Sequence, residues 1–117
     1  MRLTEVSFDN ASPVDSYGPG FFRIAGDVIE GNVVLLPNKT LVWGGLDDAD
    51  VLMQAAGEID VLFFGTGTDV AHIPDDLRAK VEAANIGIEL MATPTACRTY
   101  NVLLSEGRRI GAALLAV

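Results

Sequence analysis

The order of hydrophobic and polar positions divides the chain into a β-rich first part and a mixed second part. Apolar runs bounded by turn residues predict strands at 22–29, 32–36 and 40–43. The sequence Tyr-Gly-Pro-Gly at 17–20 predicts a turn, because glycine reaches backbone angles that other residues avoid. We therefore expect a small β-layer in the N-terminal half of the chain.

From residue 47 onward the apolar residues recur at helical spacing. A first helix is predicted after Asp47 or Asp48, either of which would cap it. A second helix starts at Pro74, and a third is opened by Pro94, with Thr93 as the candidate N-cap. The residues expected on the buried stripes of the first two helices are Leu52, Ala55, Ala56, Ile59, Leu77, Val81 and Ala84.

Three short apolar runs lie between and after these helices, at 60–65, 86–91 and 110–117. All three predict strands; the run at 60–65 is typical of a strand that is buried on both faces, and the run at 110–117 predicts a last buried strand. Hairpins followed by alternating strands and helices imply a sheet that is covered by helices. We predict an α/β fold, a single three-layer domain over residues 1–117 with a mixed central sheet, flanking helices and a small N-terminal β-layer.

The composition limits where such a chain can work. Half of its residues are hydrophobic, but the apolar runs are far shorter than the roughly 20 residues that a membrane-spanning helix needs. The N-terminus shows no basic region followed by an apolar stretch, and the single Cys97 cannot form an internal disulfide. We expect a cytoplasmic protein that does not span a membrane.

The net charge of −8 argues against nucleic acid as the partner, because binding a phosphate backbone requires clustered Lys and Arg. The charge is uneven: residues 1–60 hold ten acidic and three basic side chains, and residues 61–117 hold six and five. The acidic half can be a solvated surface that keeps the protein in solution, or a surface that meets a basic partner protein.

The turn Gly65–Asp69 follows a buried strand, where ligands of open α/β sheets commonly bind. A dinucleotide-binding loop would place a third glycine at position 70, which is Val70, and no Gly-Lys-Ser/Thr sequence is present. The turn is therefore either a tight exit from the strand or a weak anion site made of backbone N–H groups.

A second polar stretch, Thr93–Asn101, begins the third helix, whose first N–H groups could bind an anion beside Arg98. If Thr93 is the cap, the N–H groups of Thr95, Ala96 and Cys97 would be free. The two segments would meet at one sheet edge and form a candidate anion or ligand site. Its residues are Gly65, Thr66, Gly67, Thr93, Thr95 and Arg98.

Cys97 admits two interpretations. The helix start and Arg98 could lower its thiol pKa and make it a reactive thiol, for which His72 is the only histidine available as a base. Alternatively, Cys97 is a small core residue on the apolar stripe of the third helix. One His and one Cys cannot form a zinc or iron–sulfur ligand set, and no metal, cofactor or complete catalytic constellation is expected.

Motifs along the whole chain carry a family resemblance. The most specific is Ala-Cys-Arg-Thr-Tyr-Asn at 96–101, followed by Glu-Gly-Arg-Arg at 106–109. The matching segments, in order, are Tyr17–Ile24, Leu36-Pro37, Trp43, Gly65–Gly67 and Thr95–Arg109. Together they resemble the family of mitochondrial complex I assembly factor 3 and its small bacterial relatives of unknown function.

The resemblance implies a three-layer α/β fold with a mixed central sheet, no established enzymatic activity and no accepted catalytic residues. In the mitochondrial branch it implies a factor that binds partner proteins while a respiratory complex is built.

Two hypotheses about the function follow. The first is a non-catalytic assembly or adaptor protein with a protein partner. The alternative is a small-molecule or anion-binding protein, or a minor enzyme, that uses the Gly65–Asp69 turn and the helix start at Pro94.

Overall fold

Two β-sheets and three helices make up residues 12–117, the part of the chain that the structure, a computed structural model, describes. The strands are β1 (Val14–Gly18), β2 (Phe21–Ile24), β3 (Asp27–Glu30), β4 (Asn32–Leu36), β5 (Lys39–Trp43), β6 (Val61–Gly65), β7 (Gly87–Met91) and β8 (Ile110–Leu114). The helices are α1 (Ala49–Leu52), α2 (Asp75–Ala83) and α3 (Thr93–Ser105), and a 3-10 turn at Met53–Ala55 continues α1.

The central sheet has five strands in the order β5-β4-β8-β6-β7. β6 runs parallel to both β7 and β8, whereas β4 is antiparallel to β5 and β8. The mixed central sheet that the sequence predicts is therefore confirmed. β8 lies between β4 and β6, so the last strand in the chain joins the hairpin of the first half to the parallel strands of the second.

Side chains that alternate along the central strands fill two separate cores. On one face Val33 and Phe63 pack with α3 and with the small sheet β1-β2-β3. On the other face Val34 and Phe64 pack with α1, the 3-10 turn and α2. The period-2 alternation of a strand thus divides the apolar residues between two interfaces and produces the three layers that the sequence predicts.

The small sheet contains a hairpin that the sequence analysis missed. The segment 22–29, predicted as one strand, is interrupted at Ala25 and Gly26, whose φ angles of 51° and 85° form a two-residue turn between β2 and β3. Two positive φ angles at the central residues are typical of a type I′ turn, whose backbone twist matches that of the two strands it connects. Alanine is uncommon in this conformation, so the local sequence gave only a weak turn signal.

The first predicted helix is also shorter than expected. α1 and the 3-10 turn end at Ala55, because Ala56 has an extended backbone (φ −56°, ψ 126°) and Gly57 has a φ of 79°. Leu52, Ala55 and Ile59 are buried as predicted, but Ala56 is exposed. Asp48 is the N-cap residue of α1, as predicted, but its carboxylate accepts the N–H of Gly44 (3.0 Å) and makes no hydrogen bond to the helix.

Candidate functional site

The carboxyl ends of three parallel strands, β6, β7 and β8, meet at one edge of the central sheet. The helices that follow β6 and β7 leave this edge on opposite sides. α2 packs on the face that contains Phe64, and α3 packs on the face that contains Phe63. In open α/β sheets this arrangement creates a crevice between the two strand ends, where ligands commonly bind. The candidate site residues lie around this position.

Thr93 closes the crevice from the α3 side. Its side chain is fully buried; the hydroxyl accepts the N–H of Gly67 (2.9 Å) and donates to the carbonyl oxygen of Leu115 (2.8 Å). Its own N–H donates to the carbonyl oxygen of Gly67 (2.7 Å). Thr93 is the first residue of α3 and Ala92 is the N-cap, so the prediction that Thr93 caps the helix is wrong. Its hydroxyl joins the ends of all three strands instead.

Thr66 stabilises the other side of the crevice. Its N–H donates to the carbonyl oxygen of Met91 (2.8 Å) and extends the pairing of β6 with β7 by one residue. Its hydroxyl lies 2.9 Å from the carbonyl oxygen of Asp69 and accepts the N–H of Ala71 (2.9 Å). The Gly65–Asp69 turn is thereby built around the Thr66 hydroxyl.

Gly65 allows the turn and α3 to approach each other closely. A Cβ atom at this position would lie 2.9 Å from the Cα of Thr93 and 3.0 Å from a methyl carbon of Leu114. Because a backbone atom is among these neighbours, a larger residue would require the helix start to move. The glycine is therefore explained by close packing of backbone against backbone.

Thr95 and Arg98 lie apart from this closed junction. Both are exposed near the start of α3, and the Arg98 guanidinium is 3.4 Å from the Thr95 hydroxyl. The prediction that the N–H of Ala96 is free is wrong, because it donates to the carbonyl oxygen of Ala92 (2.9 Å). Of the six predicted residues, the structure thus brings together four, Gly65, Thr66, Gly67 and Thr93, and places two on the adjacent surface.

The environment of Cys97 opposes a reactive thiolate. Cys97 is 4% exposed and packs in the core beneath α3. Burial raises the pKa of its thiol to about 11, and nearby Arg98 offsets this only in part. The thiol therefore stays protonated near neutral pH, contrary to the interpretation in which its pKa is lowered. His72 lies in the exposed loop between β6 and α2.

Two residues of the 96–101 motif that were not predicted as site residues connect α3 to β1 and to the segment just before it. The Asn101 side chain accepts the N–H of Val14 (2.8 Å) and donates to the carbonyl oxygen of Val14 (2.8 Å). The buried Tyr100 donates its hydroxyl to the carbonyl oxygen of Ser12 (3.3 Å), and burial raises its pKa. The signal in the sequence was the side-chain amide of Asn101, next to the apolar stripe of the third helix. A carboxamide has one donor and one acceptor side, so it can bond with the N–H and C=O of a backbone as a neighbouring strand does.

Two further properties bear on the class of protein. Among residues 12–117, no group of three or more His, Cys, Asp or Glu side chains could hold a metal ion. None of the helices in that range has the length and hydropathy required to cross a membrane. The fold and the site define a three-layer α/β domain whose sheet-edge crevice is filled by its own hydroxyl and backbone groups.

Comparison with known proteins gives the family. Residues 14–115 match the family described as "Protein of unknown function (DUF498/DUF598)", and the chain belongs to this family. An uncharacterized protein of Rhodobacter capsulatus is 50% identical over 98% of this chain and 93% of its own length. Assembly factor 3 of the NADH dehydrogenase [ubiquinone] 1 alpha subcomplex from Mus musculus is 30% identical over 98% of this chain. The chain spans 66% of the mouse factor's length.

These matches confirm the resemblance to the complex I assembly factor 3 family that the motifs indicated. The fold also has a solved counterpart. The crystal structure of an outer membrane protein from Bartonella henselae superimposes with a TM-score of 0.84 at 32% identity, covering 95% of this chain and 99% of that one. The predicted α/β fold is thereby confirmed against a solved structure as well as by the topology.

Proposed function

We propose that this protein is a non-catalytic protein-binding factor that takes part in assembling a respiratory membrane complex. The observation that carries the proposal is the match of 98% of the chain to assembly factor 3 of NADH dehydrogenase from mouse. Such a factor acts by binding partner proteins, so a protein partner is proposed and nucleic acid is not. The net charge of −8 supports this choice, because it disfavours a phosphate backbone.

The geometry of the sheet edge supports a role without catalysis. The crevice where an α/β enzyme would bind its substrate is bridged by the Thr93 hydroxyl and by the pairing of Thr66 with Met91. A nucleophile needs a base and an accessible position, and Cys97 is buried with a raised thiol pKa. A free, buried thiol also suits a reducing compartment, and we place the protein in the cytoplasm.

Deletion of the gene provides the test. The amount of assembled NADH:quinone oxidoreductase in membranes should fall in the deletion strain and return when the wild-type gene is supplied. A His72→Ala gene should restore assembly as well as wild type does, because the proposal assigns no chemistry to this exposed histidine. Unchanged assembly after deletion, together with no partner recovered by affinity capture, would refute the proposal.

The anion-binding alternative now depends on Thr95 and Arg98, the exposed polar pair near the start of α3. It predicts that Arg98→Ala fails to restore the function of the deletion strain, whereas the assembly proposal expects restoration. Thermal unfolding with phosphate or sulfate gives an independent measurement. An anion present at 100 times its Kd should stabilise the wild type by about 2.7 kcal/mol, and the Arg98→Ala variant much less.

A further inference from the structure

Strand β5 forms one edge of the central sheet, and two of its five residues direct their backbone groups away from β4. The two-residue turn Pro37-Asn38 pairs Leu36 with Lys39, and from there hydrogen-bonded and non-hydrogen-bonded pairs alternate along β4 and β5. Lys39, Leu41 and Trp43 therefore direct their N–H and C=O groups towards β4. Thr40 and Val42 direct theirs outward at the edge.

The side chains of β5 are unusually apolar for an edge strand. Val42 is 72% exposed, the highest fraction among the large hydrophobic residues of the described chain. Edge strands are usually protected by charges, proline or bulges. Within residues 31–46 the only charged side chain is Lys39, whose ammonium group is 3.3 Å from the amide oxygen of Gln54. Trp43 lies on the same face of the sheet as Lys39 and is buried between the sheet and α1.

We propose that β5 pairs with β5 of a second copy of this chain, in antiparallel orientation, to make one continuous sheet across a two-fold dimer. The register that pairs both outward residues places Leu41 opposite Leu41 of the second copy. Thr40 of each copy then lies opposite Val42 of the other. Each of these two pairs exchanges two backbone hydrogen bonds, so the interface contains four. Cross-strand pairs of β-branched and aliphatic side chains are favourable.

Charge complementarity supports a second copy as the occupant. In this register Lys39 lies opposite Trp43 of the second copy, on the face of the sheet that contains α1. The carboxylate of Asp48 accepts the N–H of Gly44, the residue that follows Trp43. The Lys39 ammonium group of each chain would therefore approach an Asp48 carboxylate of the other. Both contacts are attractive, although each chain has a net charge of −8.

Two other edge strands of the described residues, β7 and β3, do not permit the same pairing. On β7 the outward groups belong to Ile88 and Leu90, because the N–H of Gly87 and the carbonyl oxygen of Met91 bond towards β6. Pairing both would place Glu89 directly opposite Glu89 of the second copy, and like charges in this position are destabilising. On β3 the strand begins with Asp27 and ends with Glu30, so self-pairing would gather four carboxylates. Self-pairing is thus less favourable at β7 and β3 than at β5.

Molecular mass as a function of concentration tests the proposal. Because two short strands bury little area, we expect a weak dimer and would use sedimentation equilibrium from about 10 μM to 1 mM. The mass of the wild type should rise from 12.4 kDa towards about twice that value. Val42→Lys should remain monomeric, because it puts an ammonium group on the edge. Val102→Lys, a control at a 57% exposed residue of α3, should dimerise like the wild type.

A cross-linking experiment tests the register. At the two-fold axis Leu41 forms a non-hydrogen-bonded pair with Leu41 of the second copy. The two Cα atoms would be about 4.5 Å apart, a separation that a disulfide between cysteines at this position can span. Leu41→Cys should therefore oxidise to a covalent dimer, whereas Val102→Cys, although more exposed, should not. Hydrogen exchange should show amide protection at Thr40 and Val42 in the wild type that Val42→Lys loses. A wild type that stays monomeric throughout, or a Val42→Lys variant that dimerises equally, would overturn the proposal.

Discussion

At the scale of single residues, neighbouring hydroxyls of one motif have opposite roles. Thr93 is fully buried, and its hydroxyl bonds with both the Gly67 turn and the C-terminal segment after β8. Thr95, two residues later, is exposed and contacts the Arg98 guanidinium. Sequence reasoning assigned both to one anion site, because a helix start exposes N–H groups. Local sequence does not say which hydroxyl the rest of the fold will cover.

The first prediction compares these two threonines. Thr93→Val keeps the shape of the side chain but leaves the N–H of Gly67 and the carbonyl oxygen of Leu115 without partners inside the protein. We expect it to lower the free energy of unfolding by about 2–4 kcal/mol. Thr95→Val should change it by less than about 0.5 kcal/mol, as exposed substitutions usually do. Urea unfolding of both variants provides the measurement, and equal effects would contradict the assigned role of Thr93.

The second prediction concerns Cys97. Replacing it with serine puts a hydroxyl into the apolar core beneath α3, which should cost about 1–3 kcal/mol of stability. A change within experimental error would show that the core tolerates a hydroxyl there.

The third prediction follows from the pKa of the Cys97 thiol, which burial raises from 9.0 to about 11. A pKa that is higher in the folded state contributes stability below pH 9, and this contribution is lost as the pH rises towards 11. The thiol should therefore react slowly with a disulfide reagent in the native protein at pH 8, and rapidly once the protein is unfolded in urea. Rapid reaction of the native protein would contradict burial of the sulfur.

At the scale of elements, α3 connects the small sheet to the central sheet. Its buried side chains pack on one face of the central sheet, and Asn101 bonds with both backbone groups of Val14 in β1. A carboxamide in this position acts as one residue of an additional strand. The sequence predicted α3 closely but not this contact, because Asn101 and Val14 are 87 residues apart in the chain.

The fourth prediction tests this contact. Asn101→Ala removes two hydrogen bonds of 2.8 Å and leaves the Val14 backbone unpaired in a partly buried position. We expect a loss of about 2–3 kcal/mol in the free energy of unfolding. Hydrogen exchange at the β1 amides should increase more than exchange at β6. Val102→Ala, on an exposed side of the same helix, is the control and should leave both quantities nearly unchanged.

At the scale of the whole molecule, contacts between distant segments join the small sheet to the central one. The N–H of Gly20 donates to the carbonyl oxygen of Val117 (2.7 Å), and the N–H of Ala116 donates to the side-chain oxygen of Asn32 (2.8 Å). The hairpins of the first half are thereby bonded to the chain that follows β8. The single domain over residues 1–117 stays a prediction, and the next experiment tests it.

The fifth prediction is that the protein unfolds in a single cooperative transition. Trp43 reports on the core that the central sheet forms with α1 and α2, and far-ultraviolet circular dichroism reports on both sheets and the helices. The two signals should give the same midpoint and the same m-value in urea. Separate transitions would show that the small sheet unfolds on its own, against the single-domain prediction.

The sequence by itself determined the central strands, the order of the helices and the three-layer class. These depend on local pattern: the uninterrupted apolar run of β6 predicts a strand buried on both faces, and the stripe of Leu77 and Val81 predicts one buried side of α2. Turn signals were read well at Pro37-Asn38 and missed at Ala25-Gly26, because alanine is rarely found with a positive φ. The family motifs were likewise a property of the sequence alone.

Only the tertiary structure decided what the candidate site contains. Whether Thr93 caps a helix or joins three strand ends depends on Gly67 and Leu115, which are 26 and 22 residues away in the chain. Whether Cys97 is a thiolate or a core thiol depends on the layer that packs over α3. Burial and hydrogen-bond partners are set by elements distant in sequence, and periodicity carries no information about them. The sequence therefore located the sheet edge correctly, and the fold determined that the protein fills it with its own groups.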